Sequence, residues 1–272
     1  MMKEDLKHRI LSSKKHILQI AYDCQKSVHL GGAMSIIDVL SVLYLKHLKY
    51  DFKNPTWELR DRFILSKGHC AVALYAVLVE CGIVKQSEMD SFMSNDSAFC
   101  VHPVMNVNLG IEASTGSLGQ GVGLAVGIAK AAKIKQQDFH IYTLIGDGES
   151  NEGSVWEVAM FAAHNKLDNL TIILDKNSCQ SDGFSFSVLD MGDMARKWES
   201  FGFYVEQING HNIEQIDKTL AKKNPQNMPR IIISESIKGN GISFMENKPE
   251  WHHNRLTKQF FELALQELEV QK

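Results

Sequence analysis

The feature that most narrows the fold of this chain is a set of short apolar runs in its second half, separated by helix-like stretches. Ile141 to Ile145, Leu170 to Leu174, Phe203 to Ile208 and Arg230 to Ser234 are rich in β-branched or aromatic side chains. Such runs read as buried parallel strands, because both faces of a parallel sheet are covered. Helix-like segments lie between them near 152–165, 190–200 and 213–223. The alternation predicts an α/β fold, a parallel sheet with helices on both faces. Ligands of such sheets bind beyond the carboxyl ends of the strands.

The first half fits the same plan. Ile10, Ile17, Ile20, Ala21 and Cys24 form an apolar stripe at helical spacing. Ser35, with Asp38 three residues later, reads as the N-cap of a second helix. Arg62 to Leu65 reads as a further strand, and Ala71 to Val84 as a buried helix. Residues 85–115 lack a periodic pattern and read as a long functional loop. From Gly116 a glycine-rich stretch opens a helix that runs to about Lys133. With no repeat and no Gly/Ser-rich linker, one domain over residues 1–272 is the expectation.

Composition removes several classes of function. A net charge of −3 and scattered basic residues give no footprint for nucleic acid or an anionic membrane. The longest apolar run, Ala71 to Val84, is interrupted by Glu80 and is too short to cross a bilayer. The five cysteines are odd in number and none are spaced CxxC, so neither a disulfide framework nor a structural zinc site is expected. A reducing, cytoplasmic setting follows, and the charged N-terminus does not read as a signal peptide.

The chemistry-bearing feature is Gly146-Asp147-Gly148 directly after one strand, with Asn177 just past the next. A carboxylate and an amide oxygen then emerge side by side from one rim of the sheet. A helix starting near Asn151 points its positive end at the same rim. Hard oxygen ligands beside backbone amides suit Mg²⁺ holding a diphosphate, and the glycines let the backbone come close. Taken alone, such a tripeptide is as easily a simple turn. Gly121, Gly123 and Gly127 lack the preceding strand that a dinucleotide fingerprint needs, and no GxxxxGK[ST] is present. Cys100, His102, His69 and Cys70 have no zinc-ligand spacing, and Glu149 with Glu152 lacks the rest of a glycosidase pattern.

From Gly146-Asp147-Gly148 to Asn177, the chain resembles the thiamine diphosphate signature, and further segments resemble transketolases specifically. Asp61-Arg62-Phe63-Ile64-Leu65-Ser66-Lys67-Gly68-His69 is similar to their DRFxLSxGH segment. Thr115 to Gly121 resembles TGPLGQG, with Ser117 in place of proline. His29-Leu30-Gly31-Gly32, His102-Pro103 and Trp251-His252 resemble three further elements, all in family order. The resemblance implies a thiamine diphosphate-binding fold and assigns roles to these residues. Asp147 and Asn177 would bind Mg²⁺ (or Ca²⁺ or Mn²⁺ in its place) by side chain, and Cys179 by its carbonyl. His69, Gly116, Ser117, Leu118, Gly146, Gly148 and Glu149 would contact or line the cofactor. His29, His102 and His252 would act on the substrate, and Glu152 would join a carboxylate network across a subunit interface. Histidines that titrate near neutrality would suit the proton transfers.

The departure from the family is length, since the pyrimidine-binding and third domains of a complete transketolase have no counterpart here. The resemblance therefore implies one half of a split transketolase, forming an α2β2 heterotetramer together with a C-terminal transketolase subunit. Such an enzyme would move a two-carbon ketol unit between sugar phosphates. A 1-deoxyxylulose-5-phosphate synthase-like reaction and a catalytically inactive regulatory paralogue are the alternatives.

Overall fold

The computed structural model describes residues 3–270, so the extreme ends of the expected domain lie outside the described residues. The chain opens with α1 (Lys3–Asp23), the two-residue strand β1 (Ser27–Val28) and α2 (Leu30–Val42). Then follow β2 (Arg62–Leu65), α3 (Ala71–Glu80), α4 (Gln120–Ile134), β3 (Ile141–Gly146), α5 (Gly153–His164) and β4 (Leu170–Lys176). The last part contains α6 (Ser185–Val188), α7 (Met194–Ser200), β5 (Tyr204–Asn209), α8 (Ile213–Leu220), β6 (Arg230–Glu235), β7 (Asn254–Arg255) and α9 (Lys258–Val270).

All five expected strands form one parallel sheet in the order β2-β3-β4-β6-β5. Successive side chains of a strand point to opposite faces, and the two cores follow that alternation. Tyr142 and Leu144 of β3 pack with α1, α2 and α3, whereas Ile141 and Ile145 pack with α4, α5 and α7. The helical segments read from sequence all appear, with the one near 190–200 shortened to α7. Asp193 caps α7 by accepting from the Arg196 amide, and Asn212 caps α8 by accepting from the Gln215 amide.

Two readings change. Ser35 is not an N-cap: α2 begins at Leu30, and the Ser35 hydroxyl points inward to Asp175 at 2.7 Å. The apolar run of α2 extends to His47 and is long and apolar enough to cross a membrane, yet 83% of it is buried within the protein. It is the central helix of the first core, in contact with α1, α3 and α8. The loop expected over 85–115 is irregular apart from 3-10 turns at Gln86–Ser91 and Val107–Leu109.

Candidate active site at the carboxyl rim of the sheet

Because β2, β3, β4 and β6 run parallel, the residues that follow each of them meet on one rim. Ser66 to His69 follow β2, Asp147 follows β3, Asn177 to Cys179 follow β4, and Ser236 to Lys238 follow β6.

The candidate metal ligands form one knot. Asp147 accepts from the Gly148 amide at 2.8 Å, the Ser178 amide at 2.8 Å and the Ser185 hydroxyl at 2.9 Å. Asn177 Oδ1 accepts from the Cys179 amide at 3.0 Å, so adjacent amides of one turn tie the two candidate ligands together. Ser178, between them, has a φ of 61°, which lets the turn fold back. Burial first, and the charge of Asp175 second, push the Asp147 carboxyl above its usual range. A cation beside it would reverse that shift. The Cys179 carbonyl accepts from Lys238 Nζ at 3.1 Å.

Two buried lysines, which sequence reasoning did not single out, face this knot. Lys67 is 2% exposed and pairs with Asp175 at 2.6 Å. Burial, the largest single effect, pulls its ammonium down, but Asp175, Cys70 and Asp147 together outweigh it and the net shift is upward. Lys238 is 1% exposed, and among the described residues it makes no ion pair with a carboxylate. Burial, then the charge of Lys67, lowers its pKa. A buried cation without a counter-ion is costly, and an anionic group at this rim would satisfy it. Gln180 Nε2 and Asn151 Oδ1 are also buried without a partner. A Cβ on Gly148 would sit 2.9 Å from the Gln180 side chain, so the two meet closely. A cavity of about 130 Å³ lined by Asp147, Asn151, Ser178, Gln180 and Ser185 lies here. The rim thus fits a diphosphate, and its all-oxygen donor set fits Mg²⁺. In sequence, the signal for Lys238 was a basic residue and glycines shortly after a strand end.

The histidines gather as expected. β1 pairs antiparallel with β7, Ser27 opposite Arg255 and Val28 opposite Asn254, which brings His29 beside His252. Ring centroids lie 5.2 Å apart for His29 and His69, 6.0 Å for His29 and His102, and 5.4 Å for His29 and His252. His253 joins them 4.4 Å from His29, a fifth ring the sequence reading did not name. The expectation of titration near neutrality fails. Burial leads in every case: His29 falls to about 4, His252 to about 3, His69 well below its usual value, and His102 also drops. Neighbouring cations, Lys238 and Lys67 among them, add to the effect at His29, His69 and His252. These rings are therefore neutral imidazoles at physiological pH, each able to donate one hydrogen bond and accept one.

The remaining expected residues divide. Gly116, with φ of 152°, packs against the His102 ring, where a Cβ would lie 3.0 Å away. Ser117, exposed, and Leu118, half-buried, continue that loop towards α4. Glu149 is buried and turned under the rim: it accepts from Ser66 Oγ, the Gly119 amide at 2.9 Å and the Gly146 amide at 3.1 Å. It ties Ser66 after β2, Gly119 at the start of α4 and Gly146 at the end of β3 to one carboxylate. Glu152 is exposed on the surface beside α5.

Over residues 8–269 the chain matches the family described as transketolase, thiamine diphosphate binding domain. It is 41% identical over 242 residues to the 6-deoxy-6-sulfo-D-fructose transketolase subunit SqwG of Clostridium sp. (strain MSTE9), covering 89% of this chain and 88% of that protein. It is 38% identical over 265 residues to an apulose-4-phosphate transketolase subunit of Actinobacillus succinogenes, covering 97% and 96%. The fold superposes on a transketolase structure from Leishmania mexicana with a TM-score of 0.89 at 27% identity, covering 97% of this chain but 41% of that one. The chain therefore spans about two fifths of that solved transketolase, and nearly the full length of the two subunits. It belongs to the transketolase thiamine diphosphate-binding domain family.

Proposed function

We propose that this chain is the diphosphate- and Mg²⁺-binding subunit of a thiamine diphosphate-dependent transketolase that works with a separate C-terminal subunit. The observation that carries this reading is the uncompensated Lys238 beside Lys67, above the Asp147–Asn177–Cys179 knot. Asp147 and Asn177 would hold the metal by side chain and Cys179 by its carbonyl. Lys67, Lys238 and the amides near Gly148 would face the diphosphate.

When bound, thiamine diphosphate supplies the nucleophilic carbon that cleaves a ketose next to its carbonyl and carries the two-carbon unit. The histidines supply hydrogen bonds. His29 is neutral, with Nδ1 buried and without a hydrogen-bond partner, and its ring would hydrogen-bond and orient a substrate hydroxyl. His252 Nδ1 accepts from Lys238 at 2.8 Å, which leaves Nε2 as its N–H donor into the cluster. His69 and His102 flank His29, with ring centroids 5.2 and 6.0 Å away. The donor would be a ketose phosphate and the acceptor an aldose phosphate.

The relatives among split enzymes are named for substrates bearing a sulfo or a phosphate group, which supports an anionic sugar here. Their names also support a partner chain, as does exposed apolar surface at Leu124, Met160 and Phe161 on α4 and α5. An α2β2 assembly would bury it. The test is a coupled assay of the chain with its partner. Xylulose 5-phosphate plus ribose 5-phosphate should be turned over, and Asp147→Ala should abolish it. Turnover of pyruvate with glyceraldehyde phosphate instead would reassign the reaction.

A further inference from the structure

The segment that follows β6 is held on either side of Ile237, by Ser236 N donating to Lys176 O at 3.2 Å and Gly239 N donating to Gly31 O at 2.9 Å, and at Ile237 itself by an imidazole. His211, in the turn after β5, has both ring nitrogens engaged. Nδ1 lies 2.7 Å from Asp38 Oδ2, and Nε2 accepts from the Ile237 amide at 2.8 Å. Since an amide can only donate, Nε2 is unprotonated and the Nδ1 proton goes to Asp38. Asp38 is itself buried on α2 and is held by Lys14 at 3.0 Å. The Ile237 side chain is 36% exposed, so packing alone does not anchor that residue. One residue later, Lys238 reaches Cys179 O and His252 Nδ1.

We propose that His211, oriented by Asp38, is a positioning residue that fixes the Ile237 amide and thereby sets Lys238 against the cofactor's diphosphate. The inference rests on the reading that Lys238 serves that diphosphate. A neutral imidazole suits the task because it donates at one edge and accepts at the other across a rigid ring. Loss of an outer partner of this kind costs about 10–100-fold in ligand affinity.

The test is a double-mutant cycle on thiamine diphosphate affinity, measured by calorimetry with Mg²⁺ on the chain in complex with its partner. His211→Ala should weaken binding about tenfold, Lys238→Met should weaken it at least as much, and the double variant should be no weaker than Lys238→Met alone. His211 lines a cavity of about 660 Å³, so free imidazole should enter His211→Ala and restore affinity there, but not in the double variant. Additive losses, or an unchanged affinity in His211→Ala, would overturn the proposal. If Lys238→Met binds normally, the reading of Lys238 fails instead. If His211→Ala does not fold, ¹⁵N NMR of the wild-type protein decides: an Nδ1–H tautomer supports the proposal and an Nε2–H tautomer sinks it.

Discussion

Asn177 donates its amide nitrogen to Asp175 Oδ2 at 2.6 Å, and this contact decides which end of the amide faces the rim. Asp175 is fully buried and also accepts from Lys67, Ser35 and Ser236. Its charge therefore turns the Asn177 nitrogen inward and leaves the oxygen, which accepts from the Cys179 amide, as the end available to the proposed metal. Asn177→Ala removes that oxygen and should weaken Mg²⁺-dependent thiamine diphosphate binding by about 10–100-fold. Calorimetry with and without Mg²⁺ checks this; equal affinity in wild type and variant would deny Asn177 the role.

Lys67→Met leaves the Asp175 carboxylate buried beside an apolar side chain. Breaking a buried pair from one side costs about 3–5 kcal/mol. Urea denaturation should show a loss of that order, and adding Asp175→Asn should recover part of it. No recovery in the double variant would mean that the cost arises from packing.

Gly68 leaves no room for a side chain. A Cβ there would lie 2.7 Å from the Thr115 carbonyl carbon and 2.8 Å from the Gly116 nitrogen, both backbone atoms. Gly68→Ala should displace the loop around Gly116 and cost about 1–3 kcal/mol. The chemical shifts of His102, which packs on Gly116, should move with it.

The pH response of the cluster has a definite sign. His29 has a folded pKa of about 4 and an ordinary value of 6.5. Between those values the unfolded chain binds a proton that the folded chain does not, so the stability contributed at this site falls as pH drops through that window. His252, at about 3, extends the window downward. NMR should show no titration of either ring between pH 8 and 5. A midpoint near 6.5 for His29 would contradict this.

The strands were legible because β3, β4 and β6 are buried on both faces and therefore read as unbroken apolar runs. Asp147 and Asn177 were legible because each directly follows such a run. Asp175, Ser35 and Lys238 were not, since Ser35 meets Asp175 across 140 residues and Lys238 meets Cys179 across 59, and no local pattern encodes such contacts. Ser35 was misplaced as a cap for a related reason. Serine favours helix starts, but this one lies inside α2 and spends its hydroxyl on a buried carboxylate. The lowered histidine pKa values also depend on packing, because burial and lysine charge arise only once the rim has assembled.

The central claim is that this chain works as one half of a two-chain enzyme. The most direct measurement is to purify it by a tag from its own cells and identify what accompanies it by mass spectrometry. A split enzyme predicts a second chain in near-equimolar amount together with thiamine diphosphate. Recovery of the chain alone and without cofactor would contradict it.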